Sequence, residues 1–573
     1  MRTAVLAILF VLPTFVSAQS VRIDGRFEDW DTIPVAYTDA PGDGGSSGID
    51  FGRLQITHDA RHVFLRFDVG EQILAQEDNT MRLYIDTDAS SSTGQQIYGI
   101  GAELTWNFAN RDGQVRLGGS TRSVSHADIG LVPSPTMTTS SFEIALSREA
   151  RVNGLQLFPT ERMRVLLVVG EPGGDRLPDA DGGVGYEFSG AGQPLSEEIT
   201  MQAAPEGGAR LLTWNTLQDG LTESQRQPAF ARILKAVQPD IMCFQECFDA
   251  SAGQVLVFVR SVLDPPAGRS WRTLKLDQGN VLITHYDIEE SWVVQSGYRE
   301  SAYLLSSPEG KKLLLLNCHF RCCGANEQRQ EEADGVMEFL RDAKSPGGRV
   351  TLEEGTPIVL VGDLNLVGDR RQYETLITGD IADNTRYGAD APPDWDGGDW
   401  IDLVSRQPRS PFAYTWYNPG SSYAPARLDY LLYTAASMDI DGHMVINTAD
   451  MSAEQRTRLG LQTNDSYDAA DHFPRYADLL WKDATSVGAT AAGELTLEAV
   501  WPQPARSTLQ LQLSGSARTA DVVITDVLGR VVYRGRSHAS PRVGIDVSRF
   551  EPGPYILRLS TGRERIEKLI VVE

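Results

Sequence analysis

The chain has 573 residues, with 77 Asp and Glu against 52 Lys and Arg, a formal net charge of −25. At about 150 residues per domain, that length implies three or four domains, and 41% hydrophobic residues exclude wholesale disorder. The acidity excludes a passive, charge-driven binder of DNA or anionic membrane. It does not exclude an enzyme that meets phosphates through a bound cation. The charge falls in blocks: residues 19–200 carry −13, residues 207–482 carry −13, and residues 483–573 carry +1. Such steps mark domains.

In chain order, residues 1–18 read as an export signal. Arg2 is a short basic start, Ala4 to Val16 an apolar run, and Val16-Ser17-Ala18 a small-residue cleavage site. No other stretch approaches the ~20 apolar residues of a spanning helix, so no transmembrane segment is expected. A secreted or surface-attached protein follows, in a compartment that permits disulfides.

Residues 19–190 alternate apolar and polar positions with turn punctuation, as in Val63-Phe64-Leu65-Arg66-Phe67-Asp68-Val69. That pattern predicts a β-sandwich. Residues 191–208 read as a Gly/Ser/Pro/Ala linker. Residues 209–482 alternate strands with helices, the helices expected over Gln227–Val237 and Gln328–Arg341. This predicts an α+β domain around a pair of sheets. Residues 483–493 read as a second linker, and residues 494–573 as a small β-sandwich of five strands.

The chemistry concentrates in the central block, where polar residues follow or precede apolar strands. They are Trp214-Asn215, Gln245-Glu246, Asn317-Cys318-His319, Gly362-Asp363-Leu364-Asn365, Arg427-Leu428-Asp429-Tyr430 and Asp471-His472. Strand ends let a rigid sheet aim side chains into one pocket. Asn215, Glu246 and Asp471 offer the hard oxygens a divalent cation takes. His472 with Asp429 suits proton transfer. Taken singly each has a bland reading: Glu246 as a surface charge, His319 as a satisfied core histidine, Gly362–Asn365 as a tight turn. Six together in one order do not.

That order resembles the endonuclease/exonuclease/phosphatase superfamily, which includes deoxyribonucleases, abasic-site endonucleases, inositol-polyphosphate phosphatases and sphingomyelinases. The resemblance implies a four-layer αββα sandwich and hydrolysis of a phosphodiester with Mg²⁺, or with Mn²⁺ or Ca²⁺ in its place. It implies Glu246 as principal metal ligand, Asn215 orienting metal and phosphate, and Asp471 near a metal. It further implies Asp363 and Asn365 holding water and phosphate, His319 bonding the phosphate, and His472 set by Asp429. Either Asp363 or His472 could take the proton of the attacking water. Some members carry an acidic residue where this chain has Leu217, so a second metal is in doubt. An extracellular nuclease is the expected activity. The alternatives are a sphingomyelinase-like, phospholipid or inositol-phosphate phosphoesterase, and a surface or glycan binder with an inactive catalytic domain.

Three features stand apart. Cys243 and Cys318 read as buried thiols, whereas Cys247, Cys322 and Cys323 fall near the site, where a Cys247–Cys322 or Cys322–Cys323 bridge is conceivable. The acidic stretch Asp390–Asp399 reads as a solvated loop. The first domain, through Ile23-Asp24-Gly25-Arg26-Phe27-Glu28-Asp29-Trp30 and Tyr84-Ile85-Asp86-Thr87-Asp88, resembles family-nine-like carbohydrate-binding and DOMON-type sandwiches. A glycan or cell-surface ligand is implied, with Trp30 and Trp106 either stacking on sugar or buried in the core. Asp86 and Asp88 read equally as a Ca²⁺ site or a satisfied turn. The last domain, through Trp501-Pro502-Gln503-Pro504-Ala505, Asp526-Val527-Leu528-Gly529-Arg530 and Pro552-Gly553-Pro554-Tyr555, resembles the sorting domain of type IX secretion in Bacteroidota. That machinery is the partner it implies.

Overall fold

The computed structural model describes residues 21–482, apart from 46, 47, 171, 172, 190 and 191, and most of 495–572. The expected export signal and second linker lie outside the described residues, as do several turns of the last domain.

The first domain is a β-sandwich, as its alternation predicts. A five-stranded sheet, with His62–Ile73 and Thr139–Ser147 at its heart, faces a seven-stranded sheet containing Met81–Asp86 and Arg162–Val169. Their inward positions, among them Phe67, Leu83, Phe142 and Val165, form one apolar core. Trp30 and Trp106 are buried, and the Trp30 indole donates to Glu143 Oε2 at 2.8 Å. Neither ring presents a face to a sugar. The Ser90 amide donates to both Asp86 and Asp88, as a satisfied turn requires; Glu103 joins the two carboxylates.

The segment read as a linker is not loose. Met201 is buried in the central domain's core, Ile199 N–H donates to the Pro408 carbonyl at 2.8 Å, and Glu198 accepts from Ser452 and Gln455. Ile199 and Met201 are apolar residues in a polar stretch, and they hold it to the surface.

The central domain packs two six-stranded sheets face to face. One runs in the order Arg272–Leu274, Val281–Thr284, Ile241–Gln245, Ala209–Asn215, Arg475–Trp481, Met438–Val445. The other runs Asp287–Val293, Glu300–Ser306, Lys312–His319, Ile358–Asp363, Asp429–Tyr433, Ile401–Asp402. Leu211, Cys243, Leu315, Val361, Leu431 and Leu479 fill the space between them. Strands buried on both faces read as continuous apolar runs rather than alternations, as the inner strands do over residues 241–244, 313–316 and 358–361. The helix Gln227–Val237 covers one outer face with Phe230, Ile233, Leu234 and Val237. Asn326–Ala343, two residues longer at each end than expected, covers the other with Val336, Phe339 and Leu340 among its buried residues. The four layers are α, β, β, α. A further helix, Ala252–Val262, was not expected; a Ser251–Gln254 capping box starts it.

The last domain is a small sandwich of three and four strands. Thr519–Asp526, Val531–His538, Arg542–Asp546, Gly553–Ser560 and Arg565–Val572 are each a strand, as are Leu495–Trp501 and Thr508–Gly515. That is two more strands than the sequence suggested. Among the described residues, no helix is long and apolar enough to cross a membrane.

Candidate active site

Register brings the strand-end residues together. In one sheet Asn215 pairs with Gln245 in parallel, one residue before Glu246. In the other, His319 pairs with Asp363 in parallel and Asp363 pairs with Asp429 across an antiparallel step. Three titratable residues thus stand side by side on adjacent strands, facing two polar residues from the sheet packed against them. Gly362 permits this closeness. Its φ is +133°, and a Cβ there would lie 1.9 Å from the Cys318 carbonyl oxygen. Glu246 and Asn365 adopt left-handed backbone, φ +59° and +47°, which turns each chain sharply as it leaves its strand. Such conformations persist where the surroundings over-determine them.

The side chains form one bonded cluster. Asn215 Nδ2 donates to Glu246 Oε1 at 3.1 Å and to Asp363 Oδ2 at 2.9 Å. The Gln218 amide donates to Glu246 Oε2 at 2.9 Å. His319 Nε2 is 3.5 Å from Asp363 Oδ2 and 4.0 Å from Glu246 Oε1. Asn365 N–H donates to Asp363 Oδ1, and Asn365 Nδ2 donates to the Phe320 carbonyl. His472 Nδ1 bonds Asp429 Oδ2 at 2.8 Å, while its Nε2 points toward Asp363 Oδ2 at 3.8 Å. Thr415 Oγ1 accepts from the Asp429 amide, and the Trp214 indole donates to the His472 carbonyl.

Burial and charge set the protonation states. Burial pushes the Asp363 carboxyl up to about 7, reinforced by Asp429 and Glu246 against the opposing pull of His472 and Asn215. Burial disfavours charge on His472, but Asp429, Asp363 and Asp471 outweigh it and raise the imidazole to about 10. Burial, with Arg299, His472 and Arg321, holds His319 well below the usual range. His472 is therefore a cation at neutral pH and His319 a neutral ring.

Glu246, His319 and Asp363 each offer a ligand atom within 4.8 Å of the others. The Glu246 and Asp363 carboxylates converging on one spot are hard-oxygen donors that suit a divalent cation. Asn215, expected as a ligand, turns its Nδ2 toward them while its Oδ1 accepts from the Leu217 amide, so it orients the carboxylates. Asp471 stands off from that trio. Its Oδ2 accepts from the Trp416 indole at 3.0 Å, while its buried Oδ1 has no partner. It lines the same cavity of about 470 Å³.

The sequence reading missed several neighbours. Trp416 pins Asp471 and bridges to the His472 backbone. The Phe248 ring lies 6.2 Å from that of His319. Arg299 donates to the His319 and Phe320 carbonyls. An aromatic or arginine in a loop carries no pattern of its own, so no local signal could have found them. Neither bridge left open by the sequence is formed: all five cysteines are free thiols. Cys247 is buried beside Thr216 Oγ1 at 3.7 Å, whereas Cys322 and Cys323 are exposed and line the cavity. Asp390–Asp399 is not wholly solvated either. Asp394 is buried and accepts from the amides of Trp395 and Ala436.

Residues 212–453 match the endonuclease/exonuclease/phosphatase family. The central domain belongs to that family. It is a hydrolase of the phosphoesterase and nuclease type. Residues 499–573 match the secretion system C-terminal sorting domain, so this phosphoesterase is exported and is secreted or held at the cell surface. No curated protein matches the chain. Among solved structures, it is similar to D. rerio TDP2 complexed with single-strand DNA product, at 15% identity over 48% of this chain and 100% of that one, TM-score 0.32. It is also similar to an endonuclease/exonuclease/phosphatase from Beutenbergia cavernae, at 16% identity over 63% and 100%, TM-score 0.30. A third is the AP endonuclease LMAP from Leishmania major, at 13% identity over 50% and 93%, TM-score 0.30. Likenesses this distant carry no weight for substrate, which must be argued from the site.

Proposed function

We propose that this exported phosphoesterase is a Mg²⁺-dependent phosphodiesterase acting on extracellular nucleic acid. The observation that carries this reading is the convergence of Asn215, Glu246, His319, Asp363 and the His472–Asp429 pair on one spot at the ends of two sheets. Glu246 would hold the cation, oriented by the Asn215 amide, with Asp363 and His319 beside it and Asp471 farther off. When bound, the cation supplies positive charge to the phosphate oxygens. The His472 imidazolium, fixed through Nδ1 by Asp429, bonds a phosphate oxygen and offsets charge that develops there. Neutral His319 donates a further hydrogen bond. Asp363, bonded by Asn215 and the Asn365 amide and next to His319, accepts the proton of the attacking water. Asn365 turns the chain under Asp363 and bonds its Oδ1.

The test is a substrate panel with the full chain: single-stranded DNA, plasmid DNA, RNA, sphingomyelin vesicles and inositol phosphates, each with Mg²⁺ and with EDTA. Hydrolysis of nucleic acid in Mg²⁺ alone is expected. Activity confined to sphingomyelin or inositol phosphates would refute the nuclease reading, and no hydrolysis of anything would favour a binding protein with an inert site.

A further inference from the structure

The cavity over the strand ends is not walled by the central domain alone. Leu74, Gln76 and Glu77 of the first sandwich form part of its lining, as do Pro133, Pro135 and Thr136. Both strips are fastened to central-domain loops. Tyr423 Oη donates to Glu77 Oε1 at 2.6 Å, and the Ala424 amide donates to Gln76 Oε1 at 2.9 Å. The Arg111 guanidinium lies 4.2 Å from the Tyr423 ring centre. Farther along, Thr136 Oγ1 donates to the Leu366 carbonyl at 2.8 Å and the Thr138 amide to that of Gly368 at 2.9 Å. Met137, between them, is buried in the central domain's own core. A side chain sunk into another domain's core fixes the wall in place.

The walled cavity has two chemical properties. Among the described residues lining it, Arg299 is the one Lys or Arg, while Glu77, Glu246, Asp363 and Asp471 are acidic. A protein that grips a duplex does so through several phosphates at once, each met by a basic group, and this lining offers no such track. Apart from Arg299 and His472, the described lining has no cationic groups for such a track, and it offers rings instead. Phe248 is 38% exposed, at the edge of His319, and Tyr423 is 41% exposed, on the sandwich side. Half-buried Trp416 is held by its bond to Asp471. Exposed rings beside a phosphate centre are a platform on which unpaired bases stack, whereas a paired base cannot enter a cavity without leaving its helix.

We infer that the first sandwich is part of the active site, and that the cavity bounded by Phe248, Trp416 and Tyr423 takes an unpaired nucleobase next to the scissile phosphate. The enzyme then acts on single-stranded nucleic acid and not on the interior of a duplex. This rests on the nuclease reading above and adds the form of substrate and the domain that selects it.

The experiment compares one 5′-labelled oligonucleotide, alone and in a blunt duplex, with methyl p-nitrophenyl phosphate as a phosphodiester lacking a base. The full chain is used in Mg²⁺. The single strand should be cut at least tenfold faster than the duplex. Tyr423→Ala and, separately, Phe248→Ala should raise KM for the single strand roughly tenfold, with a smaller change in kcat. Tyr423→Phe, which keeps the ring and loses the bond to Glu77, should retain the preference. Thermal unfolding of each variant shows whether the fold survives, and two rings on different elements guard against one failing to fold. Equal cutting of duplex and single strand, or unchanged KM in both alanine variants, would overturn the inference while leaving the nuclease reading intact. Hydrolysis of the small ester without either oligonucleotide would overturn both.

Discussion

The floor and the wall of the cavity are built in opposite ways. The floor is a set of charged and amide side chains at the ends of central-domain strands, bonded to each other and set by register. The wall is made of loop and strand-end residues from a separate sandwich, uncharged apart from Glu77 and joined to the floor by a few hydrogen bonds and the buried Met137. A floor of this kind tolerates little change, because each group fixes its neighbour's charge as well as its position. A wall of this kind can change shape while the chemistry beneath it stays the same. The expectation is that floor substitutions abolish turnover and wall substitutions alter which substrate is taken.

The largest effect should come from Asp363→Asn. It removes the carboxylate proposed to accept the water's proton but keeps the Asn215 contact and the volume. A fall in kcat of about 10³-fold is expected in steady-state hydrolysis, within the range general-base catalysis supplies. A fall under tenfold would move the base to another residue. Asp429→Asn should follow. His472 loses its strongest charge partner, and a loss of about 10²-fold in kcat is expected with KM little changed.

A third contrast concerns the seam between sandwich and central domain. Asp402 is buried, bonded by both Arg427 Nη groups, and accepts Arg26 at its backbone carbonyl. Burial opposes its charge, but Arg427 prevails and holds the carboxyl below its ordinary value. A depressed acid stabilises the fold above its unfolded pKa of about 4 and loses that contribution as pH falls through the lower, folded value. Asp402→Asn strands the buried Arg427 charge and should cost about 3–5 kcal/mol in urea unfolding at neutral pH. The difference from wild type should shrink as pH drops below about 4. A pH-independent difference would mean the pair does not behave as an ion pair. The smallest effect should be Ser251→Ala, which removes the cap of the helix behind Glu246. It should cost about 1 kcal/mol and leave kcat unaltered.

The same contrast explains what could be read from the sequence. Asn215, Glu246, His319, Asp363, Asp429 and His472 were legible because each flanks an apolar run, and a run of that kind fixes where its end falls. The sheets follow from Leu313–Leu316 and Ile358–Val361, which have no polar face and so must be buried on both sides. The wall was not legible. Nothing in Leu74-Ala75-Gln76-Glu77 or Ser134-Pro135-Thr136 says that it meets residues some three hundred positions on, since loop composition carries no partner information. The segment 191–208 misled for a related reason. Gly, Ser and Pro suggested freedom, while single apolar residues, Ile199 and Met201, dock it.

The most direct test of the account is Mn²⁺ binding, followed by calorimetry, together with hydrolysis of a single-stranded oligonucleotide, in wild type and in Glu246→Ala. The account predicts that wild type binds the ion and is inactive in EDTA. It predicts that Glu246→Ala, still folded, loses most of the binding and at least a hundredfold in kcat/KM. Full activity in EDTA, or a Glu246→Ala enzyme that binds Mn²⁺ and turns over as wild type does, would contradict it.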